Sequence, residues 1–216
     1  GRLFRVDLAA PELVQIDTGA ATDCNNDHGI SPCGTLLVVS DGAQTDGSCL
    51  YTLPVGGGAP KRVTAHVPSY WHGWSPDGAR LAYVGTRNGP FGVYTIGIDG
   101  GDETLLTADF DHVDGPDYAP DGKWIWFNGE RDGAVDLWRI PADGGTPERM
   151  TDDAAVNWMW RCGSCRAVAG DHENWSIYTA AKARSTCQAG PPTVVPLPLC
   201  AIYSKTDEPN SGGFGG

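Results

Sequence analysis

The chain has 216 residues, 40 % of them apolar, which is enough to bury one core and too little for several independent domains. Its 15 basic residues stand against 27 acidic ones, a net charge of −12 that argues against a nucleic-acid-tracking surface. No run approaches the roughly 18 apolar residues that a membrane helix needs, and residues 1–7 lack the charged and apolar regions of a signal peptide, so a soluble chain without membrane insertion is expected.

In chain order, the first recurring signal is a turn. Ser31-Pro32-Cys33-Gly34, Ser75-Pro76-Asp77-Gly78 and Ala119-Pro120-Asp121-Gly122 are copies of one tetrapeptide, each 44 residues after the last. Proline presets the first central dihedral, aspartate suits the second, and glycine accepts the positive φ that closes a hairpin. A strand-like run follows each copy, at residues 36–40, 80–86 and 123–130. Leu50-Tyr51-Thr52-Leu53, Val93-Tyr94-Thr95-Ile96 and Leu137-Trp138-Arg139-Ile140 then match one another, ahead of Gly-rich turns at 55–58, 99–101 and 143–145. Short edge strands end at Thr64, Thr107 and Thr151. Each unit therefore holds about four short strands. Such a sheet cannot cover both of its faces alone, so the units are expected to pack face to face about an axis: an all-β propeller with four-stranded blades of about 44 residues.

The string from Tyr70-Trp71-His72-Gly73-Trp74 through Ser75-Pro76-Asp77-Gly78, Leu81-Ala82-Tyr83, Val93-Tyr94-Thr95-Ile96 and Asp99-Gly100-Gly101 resembles the repeats of TolB-like propellers. Asp117-Tyr118-Ala119-Pro120-Asp121-Gly122 and the strand after it resemble the next copy, and the likeness runs over residues 3–160. The resemblance implies a non-enzymatic module that binds a protein or peptide, with a link to envelope transport. It implies a periplasmic location; without a signal peptide ahead of the chain, a cytoplasmic one is expected instead. A WD-repeat propeller is a weaker match, because no regular Trp-Asp ending appears.

The pattern stops near residue 160. A fourth turn is due at 163, where Gly-Ser-Cys-Arg stands, and residues 161–216 hold four of the seven cysteines, a Pro-rich stretch and a Gly-rich end. Two regions are expected: blades over 1–160, and a diverged, disordered or out-of-frame tail over 161–216. Three clear repeats cannot close a ring, so exposed blade ends would invite self-association.

Residues just before each turn begin the strand nearest the axis, by analogy with the family, and would ring the channel mouth. They are Asn25, Asn26, Asp27 and His28 in the first unit, and Tyr70, Trp71 and His72 in the second. The third supplies Asp114 and Asp117, the fourth Asn157 and Trp158. Carboxylates, imidazoles, amides and indoles of this kind suit a peptide, a sugar or a metal. No cofactor is established; His28, His72 and Asp114 are the candidate ligands for a divalent cation. The alternative function is therefore a metal-dependent carbohydrate-acting enzyme or binder, although Pro116 occupies the place of a third histidine.

Other chemistry is weakly signalled. Cys162-Gly163-Ser164-Cys165 lacks a second C-x-x-C, the acidic residues at 109, 111, 114 and 117 fail the calcium-loop pattern at Val113, and Asn174-Trp175-Ser176 is a bare glycosylation sequon. Nucleophile-elbow, phosphate-loop and dinucleotide motifs are all missing, so catalysis is not expected.

Overall fold

The computed structural model describes residues 1–7, 10–152 and 200–205. They form fifteen strands and, among the described residues, no helix. The strands are β1 (Arg2–Asp7), β2 (Ala10–Gln15), β3 (Cys24–Ile30), β4 (Leu36–Asp41), β5 (Cys49–Pro54), β6 (Lys61–Arg62), β7 (Ser69–Trp74), β8 (Arg80–Gly85), β9 (Gly92–Gly97), β10 (Thr104–Leu105), β11 (His112–Tyr118), β12 (Trp124–Arg131), β13 (Ala134–Pro141), β14 (Glu148–Arg149) and β15 (Cys200–Lys205). Three antiparallel meanders, β3–β6, β7–β10 and β11–β14, are complete blades. Their first strands lie next to one another, β3 against β7 and β7 against β11.

The predicted turns close as the residues demand. Gly34, Gly78 and Gly122 sit at φ 74°, 71° and 70°, and each donates its N–H to the carbonyl of Ser31, Ser75 or Ala119 at 2.8–2.9 Å. In the second blade the Ser75 hydroxyl donates to Asp77 Oδ1 at 2.6 Å and accepts from the Arg80 N–H at 2.8 Å. In the first blade Cys33 takes the aspartate's place, with its Sγ 3.4 Å from Ser31 Oγ. At the outer edge, Thr64, Thr107 and Thr151 accept hydrogen bonds from the N–H groups of Leu50, Val93 and Leu137 at 2.8–3.0 Å.

One more blade is present in part. The bond from Ile16 N–H to the Leu3 carbonyl repeats as Val63 to Leu50, Leu106 to Val93 and Met150 to Leu137, all at 2.8–2.9 Å. β1 and β2 are thus the third and fourth strands of a preceding blade. β15 takes the place of its second strand: Leu3 pairs with Ser204 as Leu50 pairs with Ser40.

The core lies between blades. The first blade turns Leu37, Val39, Tyr51 and Leu53 back onto Leu3 and Ile16. It turns Val38 and Leu50 forward onto Trp71, Trp74, Leu81, Tyr83 and Ile96 of the second. Ala82, Val84 and Val93 of the second meet Val113, Ile125, Phe127, Trp138 and Ile140 of the third. Large side chains point back and smaller ones forward. Alternation gives the forward face of the third blade Trp124, Trp126 and Arg139, whose guanidinium lies 4.2 Å from the Trp124 ring centre and is held by Glu148.

Close approach at the axis rests on glycine. A Cβ at Gly29 would overlap the Trp71 ring, and one at Gly73 would stand 2.9 Å from the Pro116 carbonyl and from Asp117 Oδ1. The start of β7 is pinned by Arg87, which donates to the Pro68 carbonyl at 2.8 Å, to Ser69 Oγ at 2.9 Å, and to both Glu103 oxygens at 3.0 and 3.1 Å. Burial alone would raise the Glu103 carboxyl, but the Arg87 bonds and charge outweigh it and hold the group below its usual value of 4.5.

Two outcomes follow from this packing. Gly29→Ala should destabilise the protein by about 1–3 kcal/mol in urea unfolding, as overpacking does, and pairing it with Trp71→Leu should recover part of that loss. A depressed carboxylate contributes stability that is present above the unfolded-state value and lost as pH falls through the folded-state value. The stability gap between the native protein and Glu103→Gln should therefore be largest near neutrality and shrink below pH 4.5. A pH-independent gap would show that the charge of Glu103 is not what matters.

Candidate functional site

The inner strands are one or two residues too long for their partners, and the surplus appears as a bulge within each strand, two or three paired residues ahead of its turn. Trp71 pairs with Tyr83 and Gly73 with Ala82, leaving His72 as the bulged residue. In the third blade Gly115 and Pro116 face one residue, between the pairs Asp114–Asn128 and Asp117–Trp126. In the first, Asn25, Asn26 and Asp27 face one, between Cys24–Asp41 and His28–Val39. Bulges re-aim side chains, and here they set the direction of His72 and of the segment after Asp114.

The bulges bring His72 and Asp114 together across a blade boundary: His72 Nε2 lies 3.3 Å from Asp114 Oδ1, with side chains 22 % and 43 % exposed. The same carboxylate oxygen accepts the Gly115 N–H at 2.8 Å. Beside this pair, Tyr70 and Phe91 stand with ring centres 6.3 Å apart, and Phe91 meets His112 edge-on at 6.3 Å. All three rings are half-buried.

The other predicted residues are placed differently. His28 is 1 % exposed and belongs to the buried interior. Trp71 is buried against the first blade at Gly29, and its backbone N–H donates to Ser40 Oγ at 2.8 Å. Asn25 caps the Asp27 N–H at 2.8 Å and reaches Ser48 Oγ, Asn26 is exposed, and Asp117 lies against Gly73. Among the described residues no group of three or more His, Cys, Asp or Glu side chains could hold a metal ion, so His28 does not join His72 and Asp114 in one. Asn157 and Trp158, the Cys162–Cys165 pair and the sequon lie outside the described residues.

A cleft of about 410 Å³ opens at the same end of the first blade, lined by Asp23, Cys24, Asn25, Gly42, Gly47 and Ser48. Its thiol is inert: burial, reinforced by the charge of the nearby Asp41, pushes Cys24 up to about 12. Phe91 and His112 escape sequence reasoning because neither falls in the segment just before a turn. An aromatic residue in the connection between the second and third strands is the signal that the sequence holds for Phe91.

The model of the TolB beta propeller domain family matches residues 69–181. An uncharacterized protein of Agrobacterium fabrum is 50 % identical over 159 residues, which cover 73 % of this chain and 54 % of that protein. A solved structure assigned to TolB from Agrobacterium tumefaciens superposes with a TM-score of 0.70 at 50 % identity, over 73 % of this chain and 57 % of that one. TolB from Acinetobacter baumannii shares the fold, with a TM-score of 0.59 at 15 % identity over 83 % of this chain and 49 % of that one. The chain thus spans about half the length of these relatives. With its repeated Pro-Asp-Gly turns, four-stranded blades and family match over more than half its length, the chain belongs to the TolB beta propeller domain family.

Proposed function

We propose that this propeller is a non-enzymatic docking module whose channel mouth receives an extended segment of a protein partner, in keeping with an envelope-transport role for the family. The observation that carries the reading is the His72–Asp114 pair, set across a blade boundary at 3.3 Å and left partly open to solvent. A pair at that place offers a carboxylate and an imidazole to main-chain and side-chain groups of a strand lying over the mouth. Tyr70 and Phe91 beside it supply the apolar contact that hydrogen bonds alone lack. Nothing in the arrangement favours a metal-dependent reaction over this reading.

A photo-crosslinking residue placed at Tyr70, in the whole protein in its own cells, should capture a discrete partner. The same residue at Asp121, in the turn at the opposite end of the blades, should not. His72→Ala should reduce capture at position 70 about tenfold, the loss of one well-made charged hydrogen bond. Equal capture at both positions, or capture from Asp121 alone, would place docking elsewhere. Stoichiometric metal lost on His72→Ala would replace the docking reading with a metal site.

A further inference from the structure

The mouth between the second and third blades has a chemical bias that goes beyond docking as such. Tyr70, Phe91 and His112 form a half-buried row of rings, and Asp114, 43 % exposed, stands beside it on the same strand as His112. Aromatic faces carry partial negative charge, so rings flanked by a carboxylate favour a cation over a neutral group.

The charges near this end of the blades point the same way. Asp109, Asp111 and Asp132 are exposed on the connections that lead into β11 and out of β12. The arginines nearest these carboxylates, on the second and third blades and the edge before them, are already committed. Arg62 donates to the carbonyls of Thr64 and Ala65 at 2.7 Å. Arg87 is held by Glu103, Pro68 and Ser69. Arg131 bonds the Asp109 carbonyl at 3.0 Å and packs 4.2 Å from the Phe110 ring centre. A cation arriving here therefore meets carboxylates whose nearby arginines are spent on backbone and ring contacts.

We infer that the face formed by Tyr70, Phe91, His112, His72 and Asp114 receives an arginine or lysine side chain of the docked segment, its charge against Asp114 and its stem on the rings. The inference rests on the docking reading and specifies the partner: a basic, extended peptide segment. A guanidinium suits the face best, because it can bond a carboxylate and stack on an aromatic ring at once.

The test uses the whole protein and a short peptide alternating arginine and serine, with the citrulline-for-arginine peptide as its uncharged counterpart. Titration calorimetry should show the arginine peptide binding about tenfold or more tightly than the citrulline peptide, weakening as salt is raised. Asp114→Asn and Phe91→Leu should each lower its affinity about five- to tenfold. Asp121→Asn, the same change of charge at the opposite end, should leave it unaltered; an equal loss there would mean attraction to overall charge and overturn the inference. Equal binding of the two peptides would overturn it too while leaving peptide docking standing. Failure of both peptides to bind, in a protein that still crosslinks its partner through position 70, would overturn the basic-segment claim alone.

Discussion

Each blade's first hairpin is locked from one end. The Pro-Asp-Gly turn, with Gly78 at φ 71° and the Ser75 hydroxyl bridging Asp77 and Arg80, leaves the two strands no freedom to slide near the turn. Register is therefore fixed there, and a one-residue slip would turn every buried side chain to the wrong face. The surplus residues of the inner strand are absorbed as bulges, two or three paired residues away from the turn. What the hairpin cannot pair is thus displayed at the bulge, partway along the inner strand.

Packing between blades then decides how near those displays come. Large residues facing back and smaller ones facing forward let consecutive sheets interlock, and at the axis the approach is tight enough that Gly29 and Gly73 have no room for a Cβ. That closeness puts His72 of one blade within reach of Asp114 of the next. Arg87 and Glu103 brace the start of β7 from the outer side, so the segment that carries Tyr70 and His72 is held at both its ends. The forward face of the third blade departs from this scheme: Trp126 and Arg139 stand where the second blade has Ala82 and Thr95, and Arg139 is tied to Glu148.

The repeat made the blades legible, because turn chemistry and strand alternation are local and recur every 44 residues. The partial blade that precedes these three was less so: its third and fourth strands carry no Pro-Asp-Gly turn, and β15 reaches it from the far end of the chain. Within the site, repeat arithmetic set His28 level with His72. The structure separates them, since the first blade's bulge spends two surplus residues before His28 and returns it to a paired, buried place opposite Val39, whereas the second blade's bulge is His72 itself. By the same arithmetic Asp114 corresponds to Tyr70, yet it meets His72, because contacts across a boundary depend on how two bulges face each other. Phe91 and the Arg87–Glu103 brace depend on which loops fold over the mouth, which no spacing encodes.

A partner that lies over the bulged inner strands shields them from solvent. Hydrogen–deuterium exchange of the whole protein, with and without the arginine-containing peptide, measures this directly. Slowed exchange confined to residues 24–28, 69–73, 86–91 and 111–116 is the predicted result. Protection at the opposite turns, 54–60, 97–101 and 141–145, or no protection anywhere while the peptide is bound, would contradict it.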